Sequence, residues 1–333
     1  MSKSSPVQIL FRRDQPTEKS RPLRPARKRK FSLPAMVFEF QPEYILGARL
    51  SKSARKVVRV ALGDVEAGAI VPSLSRPNFA GPEEVGRKVV AVAHALGSDR
   101  GPFGVVLPDA AVRVTVLEFE TLPPDRKEQE ALIRWKMKPL LPFPVEEARL
   151  SFEVELREPE GIEAVVMAVR KSVAAEYESA LNDLSGDVAL VLPSSAALLP
   201  LLSEDAPAGE LLMNISPTQL TAVVAKGRQI RLWRNQATNG TSSAEGLAGV
   251  TEEAVRTLAA AHDHLGLEID RLRICARPRA TKDWADELSR RVAREVKSLT
   301  PDPWEVGTKL TEEEGQLLEE FGATVAGLVA NAG

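Results

Sequence analysis

Residues 105–154 read VVLPDAAVRVTVLEFETLPPDRKEQEALIRWKMKPLLPFPVEEARLSFEV. Apolar and β-branched residues over Gly104–Leu107 and Val112–Phe119 predict two strands. Pro124-Asp125 then opens a helix running to about Lys136, and a Pro-rich stretch from Pro139 to Pro144 follows it. Two further strands fit Ser151–Leu156 and Ala164–Val169, and a helix fits Ser172 to Leu184. The block is a self-contained ββαββα unit, and its neighbours on both sides have a different grammar.

On its N-terminal side, Tyr44–Ala48 and Val57–Leu62 are apolar around a polar centre, Arg49–Lys56, and read as a hairpin. Gly86–Leu96 carries Val89, Val90, Val92, Ala93 and Leu96 at helical spacing after the start signal Pro82-Glu83-Glu84. On its C-terminal side, a strand at Asp187–Leu192 and a helix at Ser195–Leu202 precede a boundary at Ser203–Gly209. Strands are predicted at Leu211–Ile215, Leu220–Ala225, Gln229–Arg234 and Leu272–Ala276. Helices are predicted at Thr251–Leu265, Trp284–Lys297 and Glu312–Ala330. This order implies an α/β protein of two lobes with an insertion in the first.

A chain of 333 residues accommodates two lobes, and 44% hydrophobic with 27% charged residues is an ordinary globular composition. The net charge of -2 gives no overall field to recruit nucleic acid or membrane. Within residues 1–30, ten Lys/Arg face only Asp14 and Glu18, so this stretch carries about +8 and the remainder about -10. Residues 1–36 are expected to be a disordered basic tail. The single cysteine, Cys275, excludes an internal disulfide and a cysteine-based zinc site, which points to a reducing compartment. No apolar run approaches the roughly 18–20 residues that span a bilayer, and Arg12, Arg13 and Asp14 interrupt any signal-peptide core.

Several motifs fail on their chemistry. Gly81 to Lys88 has the glycine spacing of a phosphate loop, but it lacks the Lys-Ser/Thr pair and aims two carboxylates at the anion. His262 and His264, two apart on a helix, do not share a face, so no metal site is expected. His94 has no carboxylate or cysteine near it in the pattern. No nucleophile–His–acid arrangement emerges, and no catalytic residue is assigned.

The 105–154 block closely resembles the inserted subdomain of the PilM family, the actin-like proteins of type IV pilus assembly. The resemblance rests on the strand–Leu107-Pro108-Asp109 turn, on Leu122-Pro123-Pro124 before the helix, and on Ile133-Arg134-Trp135 with Leu141-Pro142-Phe143-Pro144-Val145-Glu146-Glu147. It continues more weakly over roughly residues 43–330. It implies a two-lobed actin-like fold, a duplicated ribonuclease-H-like unit with an inserted ββαββα-type subdomain in the first lobe. The implied division is first lobe 37–104 and 185–208, insertion 105–184, second lobe 209–310, and a C-terminal helix, 311–333, returning to the first lobe.

Actin-like ATPases grip nucleotide with two acidic-Gly hairpins and a Gly-rich adenosine loop, because glycine lets backbone amides reach phosphate while carboxylates hold Mg²⁺. Matched to the family, the first hairpin falls on Leu46–Lys56, where Arg49 replaces the metal-side Asp and Ser51 a glycine, while Gly47, Ser53 and Lys56 survive. The second falls on Asn214 to Thr221, with Asn214 for Asp, Ser216 for Gly, and Thr218 in the turn. The third is Cys275-Ala276-Arg277-Pro278, with Ala276 and Arg277 where glycines are usual. The resemblance therefore implies a pseudo-ATPase, with neither ATP nor Mg²⁺ expected as cofactor. The implied role is a cytoplasmic scaffold, peripheral on the inner membrane, that binds the cytoplasmic N-terminal peptide of a PilN-like membrane protein. Pilus motor or platform proteins are further partners; nucleic acid is not. The alternative is a nucleotide-binding actin-like ATPase switch in the same machinery. Ile133, Trp135, Leu140, Leu141 and Phe143, held by prolines, are the expected partner-binding anchors.

Overall fold

A computed structural model of the chain describes residues 33–331 except 52, 54, 158–160, 204–207, 228, 239–243, 279–281 and 308. Three strands open the first lobe as an antiparallel meander: β1 (Met36–Phe40), β2 (Tyr44–Ser51) and β3 (Lys56–Asp64). Every residue of β1 is buried, as expected of a central strand covered on both faces. Helix α1 (Pro82–Ala95) starts on Pro82 with Glu83 and Glu84 in its first turn, and buries Val85, Val89 and Val92. It crosses so near β2 that a Cβ on Gly47 would collide with Val92. Gly47 thus serves helix packing, not the phosphate approach expected of it. Strand β4 (Phe103–Leu107) then adds parallel to β1.

The insertion comprises β5 (Arg113–Phe119), α2 (Arg126–Met137), β6 (Ala148–Arg157) and β7 (Gly161–Arg170). Its antiparallel sheet runs β5-β7-β6. Asp125 caps α2 by accepting from Lys127 N and Glu128 N at 2.9 and 3.2 Å. Helix α3 (Lys171–Ser179) returns the chain to the first lobe, packing Tyr177 on Phe40 and Phe79 with ring centroids 5.2 and 4.7 Å apart. Strand β8 (Val188–Pro193) follows, parallel to β4, and leads into α4 (Ser194–Leu198). Parallel strands need a crossover helix on the sheet, so α3 belongs to the first lobe. The insertion accordingly spans 108–170, narrower than the expected 105–184.

The second lobe repeats the plan with β9 (Gly209–Ser216), β10 (Gln219–Lys226), β11 (Gln229–Ala237), α5 (Ala244–Leu265), β12 (Ile269–Ala276), α6 (Lys282–Val292) and β13 (Glu295–Ser298). The two sheets run β3-β2-β1-β4-β8 and β11-β10-β9-β12-β13, the same order in each lobe. The helix expected over Trp284–Lys297 stops at Val292, followed by Ala293 at φ 51°. Residues 295–298 instead pair parallel to Arg271–Ile274 at the sheet edge. Their side chains are largely exposed, so no alternation in the sequence marks this strand.

After α7 (Pro303–Val306), α8 (Glu312–Phe321) and α9 (Ala323–Asn331) replace the single expected terminal helix. Thr311 and Glu314 form a capping box at the start of α8. Leu318, Val325 and Leu328 pack with Val37, Leu46 and Val106 on the first lobe's sheet. The expected tail falls outside the described residues up to residue 32. Leu33 is buried in the same cluster, and Ala35 N donates to Pro102 O at 2.7 Å, so the folded body starts before residue 37.

Candidate functional site

The shared strand order makes the turn after β1 the topological counterpart of the turn after β9. By that equivalence Glu39 stands opposite Asn214, and Gln41 opposite Ser216. Both Glu39 and Asn214 are buried, and Arg277, just past the end of β12, lies between them with 1% of its surface exposed. The Arg277 backbone N–H donates to Ile215 O at 3.1 Å, which fixes its backbone against the end of β9.

Arg277 Nη1 lies 3.5 Å from Glu39 Oε1, while Nη2 donates to Asn214 Oδ1 at 2.9 Å and to Ser194 Oγ at 3.4 Å. Gln41 Nε2 donates to Glu39 Oε1 at 2.9 Å, and Thr324 Oγ1, from α9, donates to Glu39 Oε2. Asn214 Nδ2 reaches Asp109 Oδ2, Ser194 Oγ and Ser195 Oγ at 3.0, 2.9 and 2.7 Å. Asp109 also accepts from Ser195 N at 2.9 Å and from the Ser195 hydroxyl. Two buried carboxylates are thus held by one guanidinium and a set of neutral donors, the condition under which buried charge is tolerated.

Burial is the largest influence on Arg277 and works against its charge, but Glu39, Cys275, Tyr44 and Asp109 together outweigh it and the guanidinium is held charged above its ordinary range. Burial pushes the Tyr44 hydroxyl well up, with Glu39 adding to it, and pushes the Cys275 thiol up to about 11. Cys275 is therefore an inert thiol. Between the hairpins lies a cavity of about 10 Å³ bounded by Gln41, Asp109, Ser194, Asn214, Ser216, Gln219 and Thr221. That holds about one water. Among the described residues, no group of three or more His, Cys, Asp or Glu converges as a metal site.

The structure brings together only part of the expected nucleotide set. Asn214 and Arg277 meet in the cleft, with Ser216 at its rim, Ala276 beside it and Thr218 exposed at the hairpin tip. Arg49, Ser51, Ser53 and Lys56 do not join them. Arg49 pairs with Met36 at the far end of β1 and its Nη1 donates to Gly97 O at 3.3 Å. Ser51 and Ser53 hydroxyls contact each other at 3.3 Å, and Lys56 pairs with Ser51. The structure puts the first hairpin one turn earlier in the sequence than expected, between β1 and β2, and Glu39, a carboxylate, occupies the position expected of Arg49. The missed residues are Glu39, Gln41, Asp109, Ser194, Ser195 and Thr324. One signal was available: Glu39 is a lone charge in the otherwise apolar run Met36–Phe40.

The expected partner anchors also divide. Ile133, Leu141 and Phe143, expected as partner-binding anchors, are instead buried in the insertion's own core with Phe119, Phe152 and Val166. Helical geometry explains it, since Ile133 and Met137 share the inner face of α2 while Trp135, two residues on, points away. Trp135 is 69% exposed, and Leu140 is half-buried.

No protein-family model matches the chain, and no curated protein matches it. Among solved structures, the PilM–PilN type IV pilus biogenesis complex superposes with TM-score 0.74 at 18% identity, over 90% of this chain and 98% of that one. The fold is actin-like, of the PilM type. Two looser likenesses are a Bacteroides thetaiotaomicron protein with an actin-like ATPase fold and the cytoplasmic domain of EpsL. The first gives TM-score 0.48 at 8% identity over 88% of this chain and 94% of that one. EpsL, an inner-membrane component of the Vibrio cholerae type II secretion system, gives 0.46 at 14% over 78% and 95%. Within the PilM-type fold, the cleft just described is the one between the two duplicated hairpins.

Proposed function

We propose that this actin-like chain is a scaffold of an inner-membrane assembly platform of the type IV pilus or a related secretion or competence machine. It sits in the cytoplasm against that membrane, docks the cytoplasmic N-terminal peptide of a PilN-like protein, and does not hydrolyse ATP. The observation that carries the reading is Arg277, buried between the lobes where a nucleotide and its cation would have to enter. Glu39 is retained, but Arg277, Gln41 and Thr324 already engage it, so it is not free to hold Mg²⁺ or orient water. The partner class follows from the likeness in fold to the PilM–PilN complex. No helix among the described residues is long and apolar enough to cross a membrane.

Trp135, with Leu140 near it, offers the insertion's exposed apolar anchor for that peptide. Immobilising the N-terminal peptide of a single-span PilN-like protein and titrating the chain over it tests the reading. Saturable binding that is unchanged by Mg-ATP is expected. Absence of binding, or Mg-ATP binding at micromolar Kd, refutes it, and the latter would favour the nucleotide switch.

A further inference from the structure

Two-lobed proteins commonly hinge about their cleft as ligands enter and leave. We propose that Arg277 is a resident latch: its guanidinium takes the place of a bound cation between the lobes and keeps the cleft closed without any ligand. This holds for any docking partner and does not rest on the reading above.

The geometry runs across the cleft. Arg277 belongs to the second lobe, yet its guanidinium reaches Glu39 and Ser194 of the first at 3.5 and 3.4 Å. Asn214, also of the second lobe, is fixed by Nη2 of the same guanidinium and in turn donates to Asp109, Ser194 and Ser195. Removing the guanidinium therefore frees the acceptor side of Asn214 as well as Glu39. Two outer contacts assist: Asn235 Nδ2 donates to Asp109 O at 3.2 Å, and Arg231 lies 3.7 Å from Glu163 of the insertion. Behind them, Leu212, Val223 and Trp233 share one apolar cluster with the first lobe's Phe38, Val105 and Val191, so opening also wets hydrophobic surface. Arg277 Nε and Nη1 and Thr221 Oγ1 make no protein hydrogen bond, so Nη1 meets Glu39 as a charge contact, and the 10 Å³ cavity beside Thr221 and Asn214 has room for one water.

A metal ion or nucleotide binds reversibly and makes closure depend on its concentration. An arginine carried by the chain is present at every concentration, so closure becomes a fixed property of the fold. Glu39 is itself braced by Gln41 from its own hairpin and by Thr324 from α9, which ties the latch to the C-terminal helix.

Amide hydrogen exchange on the full chain tests this, comparing wild type, Arg277→Ala and Arg277→Lys. In Arg277→Ala, exchange should rise about tenfold or more at both facing turns, residues 40–44 and 216–219, while β2 and α5 keep their protection. Millimolar methylguanidinium should restore protection at both turns together. Unchanged exchange at both turns, or a rise confined to the second lobe, overturns the latch. Should Arg277→Ala fail to fold, Arg277→Lys decides. Its point charge cannot serve Glu39, Asn214 and Ser194 at once, so exchange at both turns should still rise. Wild-type exchange in that variant would equally overturn the proposal.

Discussion

Replacing Glu39 by Gln removes the counter-charge of a buried guanidinium while leaving the side chain's size nearly unchanged. Arg277 is 1% exposed and Glu39 is fully buried, with 3.5 Å between Nη1 and Oε1. Stranding one partner of a buried pair costs about 3–5 kcal/mol. For domains of 150–250 residues each kcal/mol shifts the melting temperature by about 2–4 °C, so Glu39→Gln should melt roughly 6–20 °C lower. Arg277→Met should also be destabilising, since Asn214 Oδ1 loses its donor, at about 1–3 kcal/mol for a buried orphan acceptor, beyond any cost from Glu39. The double variant removes both charges, so its loss should fall short of the sum of the single losses by about 2 kcal/mol or more. Urea unfolding of all four proteins supplies the cycle. A Glu39→Gln loss below about 1 kcal/mol, or strictly additive losses, would refute the account of the pair as a mutually compensating buried charge.

Ile133→Ala should cost about 2–5 kcal/mol, because Ile133 is fully buried against the insertion's sheet; denaturant unfolding checks it. Trp135→Ala should leave stability within about 0.5 kcal/mol, as expected of an exposed residue, while weakening binding of the PilN-like peptide by about 1–3 kcal/mol. A wild-type Kd for Trp135→Ala would move the docking site elsewhere. Calorimetric titration with Mg-ATP should show no binding, and restoring Arg49→Asp should not create any, since that residue lies at the far end of β1 from the cleft. Gly327→Ala should cost about 1–3 kcal/mol, because its Cβ would collide with the Ala197 carbonyl where α9 meets α4; an unchanged melting curve would contradict that contact.

Local pattern carried much of this protein. The stripe Val85–Val89–Val92 announces α1 with its Pro82 start, and Gln219–Lys226 with Gln229–Ala237 announces a hairpin, because helix and strand periods are written in neighbouring residues. The spacing of Ile133 and Met137 also contains the burial of Ile133. What local pattern could not carry is pairing between distant segments. Residues 295–298 become a strand only because β12 leaves an open edge beside them. The counterpart of the second hairpin becomes visible only when both sheets are seen to share one strand order, which moves it from Arg49 to Glu39. In the sequence Arg277 merely stands where the family's glycines are usual, and nothing near it names a partner. Its charge is stable inside the protein only because the fold delivers Glu39, Ser194 and Asn214 from three separate strand ends to the same point. A buried charge is set by what surrounds it in space, and the tertiary structure alone decides that.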